Sequence, residues 1–290
     1  MKSAVLLLLL SVPRAWAASA LEPVYEQLPE PAARDVAKGE DDLRLTVAGR
    51  RLLVEAQEVE RRSALDGLSG LEAVRLMRIP KPTLVFDVKR LPKITPAEFE
   101  LAFARELSKA AMNIPLELAE TEMAARQQEL AFALDKAEQD AVFAKKLREA
   151  VKAQQKRLEG YSENDPVLYP PPTPVGELDR AAYYVALFVV SPERFYWAVE
   201  RDVSWTQGMV RLTELEDFMD RHASDLAQAR PAPGTPYAWV AGRRYPARLV
   251  AAAKPFLELG GLARTREALG QFDRAPAFDL RARLEQWLSR

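Results

Sequence analysis

The side chains with the clearest chemical potential lie in one five-residue stretch, Arg105-Glu106-Leu107-Ser108-Lys109. Positions 105 and 109 are four residues apart, so on a helix they share one face. Glu106 is the one residue to which a catalytic role can be assigned, that of a general base if the chain is active. Arg105 and Lys109 are cations with no lone pair for a metal ion, which predicts ion pairs rather than metal binding at this turn.

The same stretch resembles the H-E-x-x-H motif of zincin-like metallopeptidases. In that motif two His side chains one helical turn apart bind zinc, and the Glu beside the first His is the general base. Here only Glu106 matches, and Arg105 and Lys109 stand at the two His positions. The resemblance extends over about residues 65–158 and implies a metallopeptidase-like fold that has lost its metal ligands.

In one branch of that family a Glu from the following helix supplies the third zinc ligand. Glu117, Glu120 and Glu122 are the candidates here. Glu120 lies on the apolar stripe between Leu116 and Met123, so it is expected to point inward. The resemblance therefore implies that Glu120 is a third degenerate ligand position.

Two cations in place of two imidazoles would repel Zn²⁺ and attract carboxylates. We therefore expect no metal and no cofactor, and instead a buried network that joins Arg105 and Lys109 to Glu106 and Glu120. The alternative is that all four side chains are solvated, in which case each pair contributes only a few tenths of a kcal/mol.

Composition excludes several classes of function. The chain has 290 residues, no Cys, one His and a formal net charge of −1. The lack of Cys excludes disulfides, thiolate metal sites and a Cys nucleophile. The lone His222 suits a surface or helix end better than a metal site. A near-neutral chain has no electrostatic reason to bind nucleic acid, and no phosphate-binding or dinucleotide-binding glycine motif occurs.

The N-terminus predicts an export signal. Lys2 precedes an apolar run from Ala4 to Leu10, and small residues follow up to Ala17. The run is shorter than the ~20 residues that span a bilayer. We predict a signal peptide at 1–17 and a periplasmic or extracellular location, with a retained N-terminal anchor as the alternative. No transmembrane span is expected after cleavage, because no later segment is apolar for long enough.

The first half of the chain predicts helices around one short sheet. Residues 18–42 are expected to be a leader, because Pro23, Pro29 and Pro31 interrupt any helix. Thr83–Val88 is the best strand, and Leu43–Val47 or Leu52–Val54 should pair with it. Residues 65–77 are a helix candidate.

A capping box at Thr95-Pro96-Ala97-Glu98 predicts a helix that runs to Met112. A heptad-like pattern predicts one long helix over Pro115–Leu158. The Pro-rich segment 161–176 is expected to link a domain at 43–160 to one at 177–290. The predicted fold class is mainly α (α+β), with one small sheet in the N-terminal half and an all-helical C-terminal domain.

Four aromatic residues early in the second half suggest a second site. Tyr183, Tyr184, Phe195 and Trp197 could line a pocket between the two halves. Aromatic residues at helical spacing are also typical of a core, and the sequence alone favours that alternative.

The function that these patterns favour is an exported, non-catalytic binding or scaffold protein with an unidentified protein or peptide partner. One alternative is an active exported hydrolase or peptidase with an atypical site. A second is a helical envelope adaptor unrelated to peptidases, which would use helix 115–158 for partner contact. The strand Thr83–Val88 at the edge of a small sheet beside the helix at 96–112 would favour the first function, and a bundle without a sheet would favour the adaptor.

Overall fold

The computed structural model describes residues 28, 30–56, 59–64, 73–78, 82–114, 118–159, 176–203, 208–258, 262–273 and 277–290. The predicted signal peptide at 1–17 and residues 161–175 of the predicted linker lie outside these ranges. None of the helices in the described ranges is long and apolar enough to cross a membrane.

The predominantly helical fold with some β-structure is confirmed. Eleven helices lie within the described residues: α1 (Glu30–Leu45), α2 (Val47–Glu55), α3 (Pro96–Met112), α4 (Ala119–Gln139), α5 (Ala141–Leu158), α6 (Glu177–Val190), α7 (Pro192–Arg201), α8 (Leu212–His222), α9 (Ala247–Glu258), α10 (Ala263–Asp273) and α11 (Ala277–Ser289). Six strands accompany them: β1 (Glu60–Ala64), β2 (Val74–Met77), β3 (Thr83–Asp87), β4 (Arg230–Pro231), β5 (Tyr237–Val240) and β6 (Arg243–Pro246).

The predicted leader at 18–42 is wrong over its second part, which forms most of α1. Pro31 is the second residue of that helix. Proline is tolerated in the first turn, since the backbone N–H that it lacks has no partner within the helix there. Burial of Val36 and Leu43 then supplies the packing that holds the helix against the rest of the chain.

The strand at Thr83–Asp87 is confirmed, but its predicted partners are wrong. Residues 43–47 and 52–54 belong to helices α1 and α2 or the turn between them, and β3 instead lies between β1 and β2. It pairs in parallel with β1 and antiparallel with β2, so the expected edge position is wrong and β3 is the central strand. The helix predicted over 65–77 is wrong over its last four residues, because they form β2. Every residue of β3 is buried. A strand that is buried on both faces has a continuous run of apolar residues, and this run made the strand predictable from the sequence.

Helix α3 begins as its sequence predicts. The Thr95 hydroxyl accepts a hydrogen bond from the Glu98 backbone N–H, and the Glu98 carboxylate accepts from the Thr95 backbone N–H. The helix ends at Asn113, whose φ of 47° lies in the left-handed region. Phe103 of α3 packs against Phe86 of β3 with ring centroids 5.6 Å apart, which seats the helix on the sheet.

The long helix predicted over 115–158 is wrong, because two helices meet at Asp140. The Asp140 backbone is extended (φ −115°, ψ 103°), and its carboxylate accepts hydrogen bonds from the backbone N–H groups of Val142 and Phe143. An Asp in this position competes with continuation of the helix, since its side chain replaces the backbone acceptors of the first turn.

The prediction of an all-helical C-terminal domain is wrong. A second three-stranded antiparallel sheet has the order β4-β5-β6. Ala241 and Gly242 join β5 to β6, and both have positive φ values, 48° and 74°. Such a two-residue turn matches the twist of a hairpin. The hairpin was missed because a four-residue strand between prolines carries little periodic signal.

Two hydrophobic cores organise the described residues, and the boundary between them is not at 161–176. The larger core takes residues from both sides of that segment, including Phe103 of α3, Leu134 of α4, Phe188 of α6 and Leu284 of α11. The smaller core joins α8, α9 and the second sheet to Leu118 and Ala125. Helix α4 contributes to both cores.

Candidate functional site

Charged side chains on the facing surfaces of α3 and α4 form a buried cluster. Helix α3 contributes Arg105, Glu106 and Lys109, as the sequence predicts. Helix α4 contributes residues at helical spacings of four and three, which places them on one face, and α6 contributes its first residue. We call these side chains the buried network: Arg105, Glu106, Lys109, Glu122, Arg126, Glu129 and Glu177.

Arg105 is the centre of the buried network. Its side chain is only 1% exposed. The guanidinium donates hydrogen bonds from Nη1 and Nη2 to the two carboxylate oxygens of Glu177, at 2.8 and 3.4 Å. Its Nε donates to Glu106 Oε1 at 3.2 Å. Arg105 therefore ties the start of α6 to the middle of α3.

Lys109 joins the two carboxylates that flank it. Its Nζ lies 3.0 Å from Glu106 Oε1 and 2.6 Å from Glu122 Oε2. The second oxygen of Glu106 accepts a hydrogen bond from the backbone N–H of Leu76 at 2.8 Å. Leu76 belongs to β2, one of the two edge strands of the first sheet, so Glu106 also connects α3 to that edge.

Arg126 completes the buried network from the side of α4. It donates to Glu122 Oε1 at 3.0 Å and to Glu129 Oε2 at 2.8 Å. Its Nη1 lies 3.8 Å from Glu177 Oε2, and its guanidinium lies 5.4 Å from the ring centroid of Tyr184. Two arginines therefore share the Glu177 carboxylate.

Charge within the cluster is balanced. The buried network has three cations and four carboxylates, and Arg180 at its edge lies 3.5 Å from Glu177, which makes four charges of each sign. Burying unpaired charges costs several kcal/mol per ion. Close pairing of every charge is what allows these side chains to lie in the interior.

The carboxylates differ in their response to this environment. Burial alone would raise the pKa of Glu106, but Lys109 and Arg105 outweigh it and lower that pKa. The pKa of Glu122 is likewise lowered against burial, chiefly by Lys109. For Glu177, Arg105 and Arg180 outweigh burial and lower the pKa to about 2. Glu129 is the exception, because burial outweighs Arg126 and raises its pKa.

Glu120 does not belong to the buried network, so the predicted third position is wrong. Its carboxylate accepts a hydrogen bond from the backbone N–H of Leu212 at 2.9 Å, at the start of α8. Glu122, two residues later, takes the place expected for Glu120. The apolar stripe misled because Glu120 faces the start of α8, whereas Glu122 faces Lys109 on α3. Glu117 lies outside the described residues.

The geometry does not form a metal site within the described part of the chain. There, no group of three or more His, Cys, Asp or Glu side chains is placed to hold a metal ion. The four carboxylates of the buried network are separated by guanidinium and ammonium groups that occupy the positions where a cation would bind.

The pocket expected at the aromatic residues is not formed by them. Tyr183, Tyr184 and Phe195 are at most 3% exposed and belong to the larger core. Trp197 lies apart from them on the surface, 39% exposed, with the Arg201 guanidinium 5.3 Å from its ring centroid. The alternative interpretation, that aromatic residues at helical spacing form a core, is confirmed for the three tyrosine and phenylalanine residues.

A further buried carboxylate, that of Glu100, lies beside a cavity of about 350 Å³. Glu100 Oε2 is 2.5 Å from Lys136 Nζ, which also donates a hydrogen bond to Asp42 at 2.7 Å. Burial outweighs Lys136 and raises the pKa of Glu100 to about 7. This pair is separate from the buried network.

Three members of the buried network were missed from the sequence: Arg126, Glu129 and Glu177. A signal was present for the first two, since Glu122, Arg126 and Glu129 have the spacing of intrahelical ion pairs. For Glu177 there was none, because its contact with Arg105 spans 72 positions.

The chain matches no protein-family model, no curated protein and no solved structure. The function is therefore inferred from the side chains described above.

Proposed function

We propose that this chain is an exported, non-catalytic binding or scaffold protein. Its helix α3, which resembles the metal-binding helix of H-E-x-x-H peptidases, carries the buried network in place of a metal site. The observation that carries the proposal is that Arg105 and Lys109 are paired in the interior with Glu106 and Glu122.

The state of Glu106 argues against catalysis. A general base needs an oxygen that can reach a substrate proton and a pKa near the working pH. One oxygen of Glu106 contacts Lys109 and Arg105, and the other accepts from Leu76. Its pKa is lowered because these cations outweigh burial. Glu106 therefore acts as a structural link between α3 and β2.

The contacts of the buried network support a scaffold role. The buried network joins α3, α4, α6 and β2 by charge-assisted hydrogen bonds, which fix orientation more strictly than apolar contacts do. A rigid interior leaves the outer surface to contact a protein or peptide partner. The export proposal rests separately on the apolar run Ala4–Leu10 that follows Lys2.

Zinc titration by calorimetry tests the proposal. We expect no stoichiometric zinc binding by the wild-type chain. The double variant Arg105→His and Lys109→His should bind one zinc and gain thermal stability on doing so, because Glu122 lies within 4.0 Å of the Arg105 Nε and 2.6 Å of the Lys109 Nζ. Adding Glu122→Gln to the double variant should weaken that binding.

The contrary outcomes separate the alternatives. A wild-type chain that binds one zinc and cleaves peptides until a chelator is added would establish the hydrolase instead. A double variant that retains its helical circular dichroism but takes up no zinc would remove the support for a peptidase-like origin.

A further inference from the structure

The outer face of the second sheet combines aromatic and cationic side chains. Trp239 of β5 lies opposite Arg230 of β4 on one side and Arg244 of β6 on the other. Directly opposite residues in antiparallel strands point to the same face. Tyr237 is two residues from Trp239 and so shares that face. We call these four side chains the hairpin face.

The aromatic rings of the hairpin face are open to solvent. Trp239 is 45% exposed and Tyr237 is 42% exposed, whereas the intervening Ala238 is buried. The Arg244 guanidinium lies 5.9 Å from the centroids of both rings. Two exposed aromatic rings on one face are informative, since tryptophan and tyrosine are enriched at interfaces.

Charge on this part of the chain is strongly one-sided. Residues 226–257 contain five cations and no Asp or Glu, although the whole chain has a net charge of −1. Within the described residues, no carboxylate forms an ion pair with Arg230, Arg243 or Arg244. The hairpin face is therefore complementary to an anionic partner.

The opposite face of the sheet holds the hairpin in place. Tyr245 packs against Phe218 and His222 of α8 at centroid distances of 4.9 and 4.8 Å, and its hydroxyl lies 2.6 Å from His222 Nε2. Ala238 and Val240 contribute to the smaller core. These contacts hold the backbone of β5 and β6 in place, so the strands that carry the aromatic rings of the hairpin face do not need to become ordered on binding.

We propose that the hairpin face docks the protein onto the surface of an anionic lipid bilayer. Tryptophan and tyrosine have an apolar body and a polar tip, which suits the boundary between headgroups and acyl chains. Arg230 and Arg244 flank Trp239 at the same level, so their guanidinium groups would meet lipid phosphates as the ring enters this boundary. The hairpin face carries only two arginines, which is few for following a nucleic-acid backbone, whereas its two exposed amphipathic rings suit a lipid interface.

Quenching of tryptophan fluorescence by brominated lipids tests this docking at one residue. The full chain is mixed with vesicles of equal parts phosphatidylcholine and phosphatidylglycerol whose acyl chains carry bromine. We expect quenching that is reduced by Trp239→Phe but not by Trp197→Phe. Trp197 is a matched control, because it is also exposed and also lies beside an arginine. The N-terminal apolar run is the same in every variant, so it does not contribute to the difference.

The arginines are tested in the same assay. Arg230→Gln combined with Arg244→Gln should raise the lipid concentration for half-maximal quenching about 30-fold, since each arginine near an anionic leaflet contributes about a fivefold gain. Vesicles of phosphatidylcholine alone should give no quenching that depends on Trp239.

Two results would overturn the proposal. Equal quenching in wild type and Trp239→Phe would place any membrane contact elsewhere on the chain. Shielding of Trp239 by polyglutamate or single-stranded DNA, together with no quenching by anionic vesicles, would assign the hairpin face to an anionic macromolecule. Both outcomes are distinct from failure of the zinc experiment, which concerns only the buried network.

Discussion

Lys109 Nζ lies 2.6 Å from Glu122 Oε2, and this pair joins α3 to α4 in the interior of the protein. Both side chains are less than 10% exposed. The same lysine contacts Glu106 and the same glutamate accepts from Arg126, so the pair links the cations of both helices. Its removal would leave buried charge without a partner, and that penalty exceeds the net gain from making the pair.

Substitution at 122 should therefore destabilise the fold much more than substitution at 120. We expect Glu122→Gln to lower the free energy of unfolding by about 3–5 kcal/mol, because Lys109 and Arg126 lose a buried partner. Glu120→Gln is the matched control two residues away. It should cost about 1 kcal/mol or less, since an amide oxygen still accepts from the Leu212 N–H. Urea unfolding measures both, and equal losses would contradict the placement of Glu122 in the buried network.

Stability should decline in acid. Glu106, Glu122 and Glu177 have folded pKa values below their ordinary value of 4.5, and that of Glu177 is about 2. Groups with a depressed pKa stabilise the fold above pH 4.5 and lose that contribution as the pH falls through the folded value. The raised pKa of Glu129 acts in the opposite direction. We expect the free energy of unfolding to fall from about pH 4.5 toward pH 2.

Glu177→Gln tests this acid dependence. The variant should lose less stability than wild type over the same pH interval, because it lacks the group with the pKa of about 2. Chemical unfolding at several pH values between 7 and 2 gives both curves. Parallel curves would show that Arg105 and Arg180 do not lower the pKa of Glu177.

Glu100 should show the opposite pH dependence. Its pKa is raised to about 7, since burial outweighs the pairing with Lys136. A raised pKa destabilises the fold where the group is ionised, so this penalty grows as the pH rises from 4.5 through 7. Relative to wild type, Glu100→Gln should gain about 2–3 kcal/mol between pH 5 and pH 8. A difference that stays constant over this interval would contradict the raised pKa.

Substitutions at two tyrosines should differ in their effect on stability, because one hydroxyl has a hydrogen-bond partner and the other has none among the described residues. The Tyr184 hydroxyl is buried and has no hydrogen-bond partner among the described residues. The Tyr196 hydroxyl donates to Gln127 at 2.7 Å. Thermal unfolding of Tyr184→Phe should show no loss or a small gain in stability, whereas Tyr196→Phe should cost about 1 kcal/mol. A larger loss at 184 would mean that its hydroxyl has a partner.

Local signals in the sequence were sufficient for α3 and β3. The capping box at Thr95 and Glu98 supplies hydrogen bonds to backbone N–H groups within four residues, so it can be predicted without knowledge of any tertiary contact. The burial of Arg105 and Lys109 was also predicted, because both cations were expected to face carboxylates. What failed was the choice between Glu120 and Glu122, which depends on which neighbouring helix each face of α4 meets.

Contacts distant in sequence were beyond prediction. The partners of β3 and the pairing of Arg105 with Glu177 depend on how separate elements meet, and no spacing rule encodes that. The break at Asp140 was missed for a different reason. A heptad-like apolar pattern continues across it, and the local preference of an Asp for the start of a helix outweighed the pattern.

The contact between Arg105 and Glu177 has a consequence for how the polypeptide could be divided. Elements before residue 160 and after residue 176 contribute to one core and to one set of charges. If residues up to 160 and residues from 176 onward were produced as two separate polypeptides, each would leave apolar and charged surface uncovered. Mixed together they should reassemble without a covalent connection, as a split protein whose halves recognise each other through the α3–α6 contact.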